Sequence, residues 1–176
     1  MKIIIISGMP GAGKEEFLST AGAMGLPFVR MGDVVREFYS GSSDQERGSS
    51  VGEFANAERE RFGKNIWAKR VIEKMSGGVF IIDGCRSMDE IRSFRELSDD
   101  VLMVGIHAPP EQRHERLVKR GRDDSPKNLE EFNKRDSREI SWGLAEVIAL
   151  SDVMIINASG LDEFHSAAAD VLKRSI

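Results

Sequence analysis

KIIIISGMPGAGKEE, residues 2–16, joins four consecutive isoleucines to a glycine-rich turn, a lysine and two acids. The apolar run is short, β-branched and closed by Gly and Pro, so it reads as a strand buried on both faces, as in a parallel sheet. Gly8, Gly13 and Lys14 then satisfy G-x-x-x-x-G-K, the phosphate-binding loop. Glycines allow successive N–H groups to turn inward as an anion nest. The helix that follows points its positive N-terminus at the same anion. Gly8, Met9, Pro10, Gly11, Ala12, Gly13 and Lys14 are therefore the expected phosphate cradle. The pattern next asks for Ser or Thr as a Mg²⁺ ligand and finds Glu15 and Glu16 instead. Acids in a first helical turn are stabilising by about 0.3–1 kcal/mol each, yet beside a triphosphate they are repelled unless a cation intervenes. Two readings stay open. Glu15 swings away from the phosphates, or Glu15 or Glu16 enters the metal shell, for which carboxylate oxygen is suited.

Working outward, apolar strands alternate with helical patterns. Strands are expected at 27–30, 79–83, 101–108 and 153–157. Helices are expected at 14–23, 33–39, 88–97, 110–120, across much of 128–149, and at 161–173. Between them Val51, Phe54, Ala55 and Phe62, then Trp67, Val71, Ile72 and Met75, keep helical spacing. Nearly continuous apolar strands alternating with helices imply an α/β fold, a parallel sheet covered on both faces. Residues 40–50, SGSSDQERGSS, are either a solvated loop or a mobile connection in a substrate flap.

The 176 residues suffice for one domain, at 40% hydrophobic and 31% charged. A net charge of −4 argues against nucleic acid or a membrane surface as the main partner. One cysteine, Cys85, can make no internal disulfide and no Cys-based zinc site, which suits the cytoplasm. No apolar run approaches a membrane span.

The third strand ends in an acid, Asp83, in VFIIDG. Parallel strands end at one edge of the sheet, so Asp83 is expected near Lys14, as a Mg²⁺ ligand directly or through water. Directly after the second strand, Gly32, Asp33 and Arg36 spell G-D-x-x-R.

With GMPGAGK and FIIDGCR, this stretch resembles the nucleoside monophosphate kinases, adenylate kinase in particular, over most of the chain. GMPGAGK, MGDVVRE, DGCRS, RGRDDSP and EISWG are also similar to an archaeal family of adenylate-kinase-related P-loop proteins. The resemblance implies a three-layer fold with a five-stranded sheet in the order 2-3-1-4-5. It implies a helical acceptor-binding insertion at 33–78 and a lid-like segment at 113–138. ATP and Mg²⁺ are the implied cofactors, and small-molecule nucleotides the partners of a monomer or homodimer. Gly32, Asp33, Arg36, Gly84 and Arg86 correspond to acceptor-binding positions, with the arginines on the acceptor phosphate. The Arg86 stretch lacks the family's proline and is one residue shorter. Guanidinium suits that task because it is planar, always charged and bidentate. Arg116, Arg120 and Arg138 match lid arginines that stabilise the transferring phosphoryl, and Arg122 lies in the turn beyond. In such enzymes the loop at Asn157 and Gly160 passes the donor's base. Glu15 replaces a glycine of the usual GKGT and Glu16 its threonine, so Glu16 is a candidate metal ligand. Transfer to a ribose hydroxyl, as in dephospho-coenzyme A kinase, and nucleotide binding without catalysis remain alternatives. His107 and Trp142 are expected to be packing residues, and so is Cys85.

Overall fold

Every second isoleucine of the opening run faces a different layer. The structure, a computed structural model, describes residues 1–43, 48, 50–75, 77–121 and 125–176. The strands are β1 (Lys2–Ser7), β2 (Phe28–Arg30), β3 (Val79–Asp83), β4 (Asp100–His107) and β5 (Val153–Ile156). They form a parallel sheet in the order β2-β3-β1-β4-β5, the order implied by the resemblance. Side chains alternate along a strand. Ile3 and Ile5 accordingly join one hydrophobic cluster and Ile4 and Ile6 the other, all with no exposure. That explains why β1 shows no polar face.

The helices are α1 (Lys14–Ala23), α2 (Met31–Gly41), α3 (Val51–Phe62), α4 (Ile66–Ile72), α5 (Met88–Leu97), α6 (Pro110–Arg120), α7 (Leu129–Ser141), α8 (Leu144–Ala149) and α9 (Leu161–Ser175). Phe17 and Leu18 of α1 pack with Phe164, Ala168 and Leu172 of α9 on one face of the sheet. Residues of α2, α3, α4 and α5, with Val147 of α8, cover the other. The α2–α4 insertion shares that cluster through Phe38, Phe54 and Trp67, and the Trp67 indole donates to the Ala55 carbonyl at 3.1 Å.

Three helices begin with the same device. The side chains of Ser50, Ser87 and Asn128 accept from the backbone N–H of Glu53, Glu90 and Glu131. Such caps satisfy donors that have no partner inside the helix.

Several expectations need correction. His107 is exposed, because it ends β4 beside the edge strand β5. Trp142 is half-buried, because arginines rather than apolar groups cover its ring. Phe62, which keeps helical spacing with Phe54 and Ala55, is exposed at the end of α3. The helical region 128–149 breaks at Gly143 into α7 and α8. Arg122 and part of the 40–50 loop lie outside the described residues.

Candidate functional site

Strand register places the chemistry at one edge. Ile6 and Arg30 both pair with Asp83, and Ser7 pairs with Gly105, so β1, β2 and β3 end together beneath the glycine loop. The loop is braced from behind. Asn157, 7% exposed, donates its amide to the Ala12 carbonyl at 2.8 Å. Gly13 has φ 116°, and a Cβ there would stand 2.3 Å from the Asn157 amide nitrogen. Glycine alone fits both that backbone angle and that approach. Arg113 is buried and donates to the Pro10 carbonyl at 3.1 Å while gripping both Asp136 oxygens at 3.0 and 2.6 Å. Arg113 is thus a bracket that ties the loop to Asp136.

The Lys14 ammonium donates to the Gly8 carbonyl at 2.6 Å. Burial lowers its pKa, with Asp83 opposing. Burial likewise raises the Asp83 carboxyl, with Lys14 opposing. The Asp83 Oδ1 and the Ser7 hydroxyl are buried without a hydrogen-bond partner, and both residues line the same cavity. Orphaned buried oxygens are costly unless something occupies the space before them. Among the described residues no group of three His, Cys, Asp or Glu side chains is placed to hold a metal. A Mg²⁺ ion fits this chemistry if phosphate and water supply most of its shell and Asp83 supplies one carboxylate.

The two acids after Lys14 are each held by a cation. Glu15 pairs with Arg30 at 3.1 Å, and Glu16 meets a ring nitrogen of His165 at 2.9 Å. Both carboxylates are tied to side chains outside the nest.

A cavity of about 690 Å³ is lined by Gly8, Pro10, Gly11, Gly13, Lys14, Glu15 and Glu16 on the loop side. Gly32, Arg36, Asp83, Gly84 and Arg86 line it from the α2 and β3 side, and Arg116, Arg120 and Asn157 from α6 and β5. Fifteen residues singled out from sequence therefore meet at one place. Arg116 is anchored there, donating to the Asn157 backbone carbonyl at 3.1 Å. Five others do not line the cavity. Ala12 is buried under the loop, and Met9 contributes its carbonyl to Ala12 N–H at 3.0 Å. Asp33 is exposed and paired with Arg36. Gly160 starts α9, its carbonyl accepting from Phe164. Arg138 lies over the Trp142 ring at 5.5 Å.

Sequence reasoning passed over Ser7, Arg30 and Glu139, all of which line the cavity together with Arg135, one of the basic residues expected near the transferring phosphoryl. Ser7 and Arg30 end their strands, and strand C-termini in such sheets face the ligand; that position was the available signal. Arg135 and Glu139 are four apart on α7, hence on one helix face. Glu139 contacts Arg86 Nε at 2.6 Å across fifty-three residues of chain, a pairing no local pattern reveals. Cys85 is fully buried against Met31, and burial raises its thiol well above the ordinary value, as suits packing.

A family described as an AAA domain matches residues 7–133. The chain is similar to the UPF0200 protein of Thermoplasma acidophilum, 40% identical over 171 residues, covering 97% of this chain and 94% of that one. The UPF0200 protein of Sulfurisphaera tokodaii is 40% identical over 175 residues, covering 99% and 97%. In fold it is similar to shikimate kinase from Bacteroides thetaiotaomicron, with a TM-score of 0.66 at 14% identity over 98% of each chain. TT1252 from Thermus thermophilus matches with a TM-score of 0.65 at 18% identity, over 99% of this chain and 98% of that one.

Proposed function

This chain belongs to the UPF0200 family and, over residues 7–133, to the AAA-domain family, and from that premise we propose that it is a Mg²⁺- and ATP-dependent phosphotransferase of adenylate-kinase type. The observation that carries the reading is the cavity itself, where a glycine nest, a half-buried lysine and a partnerless Asp83 oxygen face arginines from two other sides. The nest and Lys14 hold the β and γ phosphates of ATP. Asp83 would supply a carboxylate to a Mg²⁺ ion, which would contribute charge compensation on the phosphate oxygens. Arg36 and Arg86 hold a phosphate-bearing acceptor such as a nucleoside monophosphate. An acceptor phosphate oxygen forms a bond to the γ phosphorus as the bond to the β-phosphate oxygen breaks, and ADP leaves. No strong base is needed, since the attacking oxygen is already ionised. Arg116 and Arg120 stabilise charge spread over the transferring group, which in such reactions is most of catalysis. A cleft closed by α6 and α7 excludes water and suppresses hydrolysis.

Transfer to a hydroxyl is the second reading. Its support is that Arg36 and Arg86 are both paired with carboxylates, Asp33 and Glu139, so the acceptor end carries less net positive charge than its arginines suggest. A coupled assay of ATP against AMP, CMP, UMP and dephospho-coenzyme A tests both. Transfer to a monophosphate, lost in Lys14→Met, supports the first. Transfer to dephospho-coenzyme A alone supports the second. Nucleotide binding with no transfer leaves a nucleotide-binding protein without catalysis.

A further inference from the structure

The segment EISWG (139–143) is absorbed by neither the nest nor the lid, yet it converges on one residue. Glu139 is 5% exposed and contacts Arg86 Nε at 2.6 Å. The Trp142 ring carries the Arg86 guanidinium at 5.3 Å on one side of the cluster, with those of Arg59 and Arg138 at 5.4 and 5.5 Å. Gly143 packs so closely that a Cβ would lie 3.1 Å from the Arg86 carbonyl. The Arg86 backbone N–H is taken by buried Glu90 at 2.6 Å, and Glu90 also pairs with Arg59 at 3.5 Å. Arg86 is thus fixed at its backbone by α5 and at its guanidinium by α7.

The acceptor arginines differ in how firmly they are paired. Arg36 and Asp33 are both more than half exposed, and such pairs contribute little and open readily. Glu139 has 7% side-chain exposure against 29% for Arg86, and removing a charge from a buried pair is costly. Burial works against the Glu139 charge, but Arg86, its hydrogen bond and nearby Lys14 outweigh burial and hold the carboxyl below the ordinary glutamate range. An anion therefore already holds the Nε edge of the guanidinium to which a phosphate-bearing acceptor would bind.

We infer that Glu139 is the acceptor-specificity residue of this cavity: a resident carboxylate on Arg86 Nε that a phosphate-bearing acceptor must displace to grip the Nε edge of that guanidinium. The inference rests on the reading that places the acceptor at Arg86. It extends that reading by assigning the choice between phosphate and uncharged acceptors to one side chain on α7. An acceptor phosphate that wins Arg86 releases α7 from its tie to the β3–α5 loop. An acceptor presenting a hydroxyl leaves that tie intact.

The test is a titration of inorganic phosphate, with ADP filling the nest, into the full chain and its variants. Glu139→Gln is expected to bind phosphate about tenfold more tightly, the size of one displaced close charge pair. Glu139→Asp keeps the charge but shortens the reach, so a smaller gain is expected, which keeps the test open if Glu139→Gln does not fold. The gain must vanish when Arg86→Ala is added, and Asp83→Asn, which removes another carboxylate of the same cavity, must not reproduce it. Unchanged or weaker phosphate binding in Glu139→Gln would show that the carboxylate merely orients Arg86 and would overturn the inference. A gain that survives Arg86→Ala, or one matched by Asp83→Asn, would overturn it too, as a general field effect. ADP binding is read in the same titration. Its failure sinks the nucleotide reading, whereas the Arg86-dependent gain is still measured with phosphate alone.

Discussion

Asn157 does two things, one with its side chain and one with its backbone. Its amide holds the Ala12 carbonyl at 2.8 Å, and its own backbone carbonyl receives Arg116 at 3.1 Å. Asn157→Ala leaves a buried carbonyl unsatisfied, a cost of about 1–3 kcal/mol. Thermal melting should register that loss, together with weaker ATP binding because the loop loses its brace. Unaltered ATP affinity would show that the loop holds its shape without this bond. At Glu139 the consequence is a pH dependence. Its carboxyl is held below the ordinary value, chiefly because Arg86 outweighs the cost of burial. The unfolded chain therefore takes up this proton first as pH falls. The stabilisation is fully present above the ordinary glutamate value of about 4.3 and is lost as pH drops through the lower folded value. The melting temperatures of the wild type and Glu139→Gln should differ near neutral pH and converge under acid. A constant gap across that range would mean the pair adds no pH-dependent stability. Glu15 and Glu16 show the limit of reading residues singly. The motif alone leaves their direction open, and Arg30 and His165, remote in sequence, settle where the carboxylates rest.

At the scale of elements, α6 joins the glycine loop to α7. Its inner face carries Arg113 to the loop and to Asp136 of α7, while Arg116 and Arg120 reach the cavity. Breaking a buried ion pair by removing one partner typically costs about 3–5 kcal/mol. Arg113→Ala should therefore unfold at markedly lower denaturant concentration and lose ATP affinity, since α6, α7 and the loop come apart together. Arg120→Ala, on the cavity face, should spare stability and lower kcat instead. A stable Arg113→Ala protein with normal ATP binding would remove the bracket. The α5 start is a smaller lever. Ser87 caps it by accepting from Glu90, and Ser87→Ala is expected to cost about 1 kcal/mol in a urea melt. The elements themselves were well marked in the sequence, with α1, α5 and α6 at their expected bounds. Strong 3.6-residue patterning, Pro110 at a helix start and Gly at helix ends are local signals. The break at Gly143 escaped because apolar spacing continues on both sides of it.

For the whole molecule, ligand binding and folding are linked. If the nest and Lys14 take ATP, the nucleotide at about 100 times its Kd stabilises the folded state by about 2.7 kcal/mol. For a chain of this size that corresponds to a rise in melting temperature of about 5–10 °C. Lys14→Met should abolish the rise, read against the variant's own unliganded melting temperature, because the ammonium that would meet the phosphates is gone. A ligand-induced rise that persists in Lys14→Met would place the nucleotide elsewhere. Among the described residues no helix is long and apolar enough to cross a membrane.

From the sequence alone came the parallel sheet, the phosphate nest and Asp83. Each depends on local chemistry: β-branched runs, glycines before a lysine, an acid at a strand end. The resemblance supplied the strand order and the arginines and glycines expected on the other sides of the cavity. Only the tertiary structure decided which charges meet. Glu15 with Arg30, Glu16 with His165, Arg113 with Asp136 and Glu139 with Arg86 are partners drawn from distant segments. Ion pairing between distant segments has no periodicity in sequence. It depends on which helices the sheet brings to one edge, and on how much water that edge excludes.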